Sequence, residues 1–152
     1  MRQDDLVSFL RLFCETYDVV DTHNQSQFGH AFDCDVVIIP NGWPHVFASI
    51  AYVGELKTTL LTQSKLNESL GQVMDRMDRL RNEQPSRNIF WGFATDLSRI
   101  VFVKAILSGP NLKFERSELL PLFTEDRSKE AKGLYTLCTL LKMNFYGLIW
   151  RV

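Results

Sequence analysis

The segment from Asp35 to Lys57, DVVIIPNGWPHVFASIAYVGELK, decides how this chain is read. Asp35 opens a β-branched run, Val36-Val37-Ile38-Ile39, that the turn-forming Pro40-Asn41-Gly42-Trp43-Pro44 brings to a stop. A second extended run lies between His45 and Leu60, most apolar from Val46 to Val53. The two runs predict an antiparallel hairpin. Residues two apart on a strand share a face, so Glu55 and Lys57 point the same way. An acid and a base projecting from a run otherwise suited to burial are costly unless they are paired, solvated or bound to an ion. Asp35 stands at the mouth of the neighbouring strand, where simple hairpin register brings the two carboxylates together with the ammonium beside them.

Outward from this segment, the pattern is that of one mixed domain. Leu6, Phe9, Leu10, Phe13 and Tyr17 have helical spacing behind Asp4 and Asp5, which predicts a first helix over Asp4 to Tyr17. The polar stretch from Asp21 to His30 reads as turns leading into a short extended piece at Phe28. Leu66, Leu70, Val73, Met74, Met77 and Leu80 recur at three- and four-residue steps, so Ser64 to Asn82 is a helix that Gln84-Pro85-Ser86 ends. Asn88 to Ala94 and Arg99 to Lys104 flank Thr95-Asp96-Leu97-Ser98 as a second, nearly all-apolar hairpin. An extended piece near Leu112 to Glu115 and a helix from about Lys129 to Met143 complete the predicted order α-β-β-α-β-β-β-α. The 152 residues, 45% of them hydrophobic, suit a single domain over 1–152, alone or as part of a longer protein.

Composition excludes several classes. Cys14, Cys34 and Cys138 lie far apart with no CxxC pair, which argues against a zinc finger or a disulfide framework. Seventeen Lys and Arg against eighteen Asp and Glu leave a formal charge of −1, so a polyanion must be met by a local patch. Apolar stretches are interrupted well before membrane-spanning length, and Met1 to Asp5 lacks a leader core. The expectation is an intracellular protein, nuclear or cytoplasmic, without a membrane partner. The apolar Tyr146 to Val152 suits packing on additional domains or on a second copy in a homodimer.

Asp35 to Ile39 followed by Val53-Gly54-Glu55-Leu56-Lys57 resembles the D…ExK signature of the PD-(D/E)xK, or restriction-endonuclease-like, superfamily. Gly71-Gln72, Gln84-Pro85-Ser86-Arg87, Gly92 to Asp96 and Phe102-Val103-Lys104 are further similar to nuclease-like domains of Crinkler (CRN) effectors and fungal kinase-associated relatives. The likeness runs from about Phe32 to Lys104; Cys34 stands where the motif has Pro, and Arg76 where RecB-like members often carry Tyr. The resemblance implies an α/β fold with an αβββαβ core, a mixed central sheet flanked by helices, and cation-dependent cleavage of DNA or RNA.

For such chemistry, Asp35, Glu55 and the Leu56 carbonyl form a hard oxygen shell for Mg²⁺ or Mn²⁺, with Lys57 beside the attacking water. Gln72 belongs over the site, and Glu15 is the candidate for an extra metal carboxylate from the first helix. Lys65, Arg76 and Arg79 are the candidate phosphate contacts, although Asp75, Asp78 and Glu83 beside the arginines describe a solvated mixed-charge face equally well. Asp33 competes with Asp35 for the ligand role. His23, His30 and His45 are metal ligands or ordinary loop residues, and Trp43 either stacks on a base or packs internally. The alternative to a nuclease is a non-catalytic module of the same fold that binds nucleic acid or a protein.

Overall fold

The computed structural model describes residues 3–22, 28, 34–126 and 131–142. In chain order the elements are α1 (Gln3–Arg11), β1 (Tyr17–Asp21), β2 (Val36–Pro40), a 3-10 turn (Phe47–Ser49), β3 (Tyr52–Leu56), α2 (Gln63–Glu83), β4 (Ile89–Thr95), β5 (Arg99–Ser108), β6 (Asn111–Arg116), β7 (Leu120–Pro121) and α3 (Lys132–Lys142). The result is a mixed α/β fold with a mostly antiparallel sheet in the order β1-β2-β3-β4-β5-β6, with β7 pairing β5. Only β3 and β4 run parallel, and α2 supplies the crossover connection that a parallel pair requires. Among the described residues no helix is long and apolar enough to cross a membrane.

The sheet is covered on both faces. Val37, Ile39, Val53, Ala94, Val101 and Val103 pack beneath Leu66, Leu70, Val73 and Met77 of α2. On the other face, Val36, Ile38, Tyr52, Phe93 and Phe102 meet Leu6 and Leu10 of α1 and Leu137, Leu140 and Leu141 of α3. Burial on both faces explains why β2 is an unbroken apolar run instead of an alternating one. A side chain at Gly54 would meet Phe93 and Val36 at 2.5 to 2.7 Å, so only glycine lets these rings and methyls close over β3.

Several boundaries differ from the sequence expectation. The first helix stops at Arg11 and the chain turns through Leu12 and Phe13, so Tyr17 begins β1, a strand that the helical spacing concealed. Strand β3 starts at Tyr52, not near His45, because Phe47–Ser49 coil into a 3-10 turn. The link from β2 is therefore a long connection, opened by a turn in which Trp43 N–H donates to the Pro40 carbonyl at 3.1 Å and Gly42 takes φ +81°. Trp43 packs against both apolar clusters, as its core reading had it. The second helix agrees with the pattern within a residue at each end, and the β4–β5 hairpin forms about the expected turn, with β5 running on to Ser108, four residues past Lys104.

Candidate metal centre

Register brings the two acids face to face. Val36 pairs Gly54 across antiparallel β2 and β3, so one step beyond the ladder Asp35 stands opposite Glu55. Both follow the alternation of Val37 and Val53, whose side chains lie in the cluster under α2. Asp35 is held there by its own carboxylate, which accepts the Leu56 N–H at 2.7 Å. Cys34, at the motif's Pro position, is 3% exposed. Its thiol donates towards the carbonyls of Val36 at 3.2 Å and Gly54 at 3.3 Å, which pins the approach to β2. Gln3 of α1 reaches the Asp35 carbonyl and donates to Asp21 Oδ1 at 2.6 Å from the opposite face.

Glu55 is 4% exposed. Burial pushes its pKa up to about 8, and the charge of Asp35 and a hydrogen bond with it add to the rise, while Arg76 and Lys57 oppose it. Two carboxyls this close cannot both ionise cheaply without a cation or a proton between them. Among the described residues, the buried side-chain oxygens without a hydrogen bond are Glu55 Oε1 and Gln72 Oε1. Orphaned acceptors of this kind are rare in folded proteins and call for a specific explanation.

Helix α2 supplies the other wall. Glu68, Gln72 and Arg76 are spaced four apart and form one stripe. Glu68 Oε1 meets Lys57 Nζ at 3.7 Å and Arg76 Nε meets Glu55 Oε1 at 3.8 Å, so Gln72 lies along the stripe between these two contacts. Lys57 is anchored at its backbone by the Thr95 carbonyl at 2.9 Å. The loop that follows is tied down by buried Asp96, which accepts the Leu60 N–H at 3.0 Å. Neither Glu68 as a partner for Lys57 nor Gln3 behind Asp35 was singled out from the sequence. The four-residue spacing of Glu68 to Gln72 carried a signal for the first; none existed for the second.

Two expected site residues fall elsewhere. Glu15 lies beyond the Tyr17 end of β1, which pairs with Pro40, whereas Asp35 adjoins the Asp21 end. Four strand steps of about 3.4 Å separate those ends, so Glu15 adds no ligand to the pair. It lines a cavity of about 460 Å³ with Leu12, Phe13, Thr16 and Cys138. Arg76 is 8% exposed and points inward at Glu55, with Asp75 at 2.9 Å on its other side, because its position continues the buried stripe of Val73, Met77 and Leu80. That placement replaces the expected phosphate contact. Lys65 and Arg79 are exposed and paired on the helix surface with Glu68 at 3.3 Å and Asp75 at 3.4 Å. His45 faces Asp18 at 3.4 Å, both exposed, away from the acid pair. His23, His30 and Asp33 lie outside the described residues.

Among the described residues no group of three or more His, Cys, Asp or Glu stands together in a way that could hold a metal ion. Asp35 and Glu55 thus meet as two carboxylates without a third such residue among the described ones beside them. Comparison with protein families, with curated proteins and with solved structures finds no match.

Proposed function

We propose that the chain is a divalent-cation-dependent nuclease of the PD-(D/E)xK type, acting on DNA or RNA. The observation that carries the reading is the cross-strand meeting of Asp35 and Glu55, with a buried Glu55 oxygen that has no hydrogen bond and Lys57 two residues further along the same face. The order α1-β1-β2-β3-α2-β4, with β3 and β4 parallel, agrees with the αβββαβ core that the sequence resemblance implies.

The donor set fits a hard cation. Asp35, Glu55 and the Leu56 carbonyl, which in an extended chain points to the same side as the Leu56 N–H that Asp35 accepts, are the oxygens that would hold Mg²⁺ or Mn²⁺. When bound, the cation supplies an acidified water and positive charge against the scissile phosphate. Lys57, kept in place by Glu68, presents its ammonium to the attacking water and to the charge that develops on phosphorus. Gln72 offers an amide between Lys57 and Glu55 to orient that water. Exposed Lys65 and Arg79 on α2 exchange their carboxylate partners for backbone phosphates. A second reading, a non-cleaving module that binds nucleic acid or a protein, draws on the ion pairs Glu55–Arg76 and Lys57–Glu68, which already neutralise part of the site.

The deciding experiment incubates the protein with plasmid, single-stranded DNA and RNA, in Mg²⁺, Mn²⁺ or EDTA. Cation-dependent cleavage is expected, reduced about 10²- to 10³-fold in Lys57→Ala, the usual cost of deleting one charge-stabilising group. Cleavage that persists in EDTA, or that Lys57→Ala leaves intact, rules the mechanism out. Binding of nucleic acid without cleavage in any metal establishes the second reading.

A further inference from the structure

Arg76 is a permanent cation built into the site's wall. It is held at both ends, by buried Glu55 at 3.8 Å and by exposed Asp75 at 2.9 Å. Asp75 is in turn shared with Arg79 at 3.4 Å, so the arginine sits within a small network and not on a free tether. The Glu55 oxygen it approaches is the one that has no hydrogen bond, so the guanidinium charge faces that lone pair across 3.8 Å.

A two-cation phosphodiesterase site needs carboxylate oxygens that bridge ions about 4 Å apart. Here two carboxylates are present, and Glu55 Oε1 already faces a positive group. A second dication placed there would meet the guanidinium at close range, and both Glu55 and Arg76 are buried, so the repulsion is weakly screened. We infer that Arg76 acts as an intrinsic counter-ion that takes the place of a second metal, restricting the Asp35–Glu55 centre to one divalent cation and orienting Glu55 towards it. Arg76 is in this sense a positioning residue: it touches the ligand carboxylate and not the substrate. The inference rests on the cation-binding half of the proposed function, and cleavage is not needed to test it.

The test counts Mn²⁺ directly on the purified full chain, from the loss of the free-ion paramagnetic resonance signal during titration. Wild type is expected to bind one tight ion. Arg76→Gln is expected to admit a second ion and to tighten the first by about tenfold, from the loss of one repelling charge. Arg76→Lys, which keeps the charge, should return the count to one. Two tight ions in wild type overturn the inference whether or not any variant folds. A single ion of unchanged affinity in well-folded Arg76→Gln also overturns it, while leaving the cation site standing. No tight ion in either protein removes the cation-binding reading and this inference together.

Discussion

Two buried polar clusters lie at opposite ends of β3, each made with an arginine and a glutamine contributed by α2 or the turn that ends it, and they are finished differently. Before β3, Gln84 donates to the carbonyls of Phe47 and Ile50, both at 2.9 Å. Arg87 donates to Ile50 at 2.9 Å, Ala51 at 2.7 Å and Ile89 at 2.6 Å, and its Nη1 also reaches Gln84 Oε1 at 3.1 Å. Arg87 is 2% exposed, and burial lowers its pKa to about 10, so it remains charged at neutrality. Its guanidinium lies 4.7 Å from the Phe90 ring centre. Here donors and acceptors match, and the cluster explains itself as a clamp that fixes the chain's entry into β3. At the far end of the strand, Glu55 faces Asp35, and Glu55 Oε1 and Gln72 Oε1 have no hydrogen bond. The difference teaches that burial of polar groups is not in itself a sign of chemistry. An excess of acceptors over donors beside a perturbed carboxyl is the feature on which the proposed cation site rests.

The comparison can be broken from the structural side first. Replacing Arg87 with Met leaves the carbonyls of Ile50, Ala51 and Ile89 short of donors in the interior. A loss of at least about 3 kcal/mol of unfolding free energy is expected, since each stranded buried group costs about 1–3 kcal/mol. Urea denaturation measures it, and a loss below about 1 kcal/mol would show that the clamp is dispensable.

The functional end predicts the opposite response to mutation. Glu55 has its folded pKa raised from 4.5 to about 8, so between those values the folded chain holds a proton that the unfolded chain releases. Stability in EDTA therefore falls as pH rises through that window, by up to about 1.4 kcal/mol per pH unit. Glu55→Gln removes this slope and raises Tm at the alkaline end. A wild-type Tm that is flat or rising across the window, measured calorimetrically beside the variant, contradicts the strained acid pair.

The smallest effect sharpens the boundary of the site. Glu15→Ala should change Mn²⁺ affinity by less than about twofold, the range of a surface substitution remote from a site. A larger loss in the same titration would bring Glu15 back as a ligand and place the centre elsewhere.

Local pattern carried much of this in advance. The apolar stripe of α2, the turn at Pro40 to Gly42 and the β4–β5 hairpin were legible because one element's burial imposes its own period on neighbouring residues. So was the alignment of Glu55 with Lys57, which follows from strand alternation alone. β1 was not legible: Tyr17 continues the helical spacing of Phe13, and only pairing with Pro40 makes it extended. The sequence expectation sets Arg76 with Arg79 on the phosphate-facing side of α2, yet its helix position is a buried one.

Local sequence fixes periodicities: a long amphipathic helix, apolar strands, and an acid and a base on a shared strand face. Tertiary structure alone decided which distant groups meet. The β2–β3 register set Asp35 against Glu55, the path of α2 turned Arg76 onto that pair, and the turn after α1 carried Glu15 to the wrong end of β1. Such outcomes depend on register and on helix rotation over a sheet, and these are set by the packing of the whole core and not by any one segment.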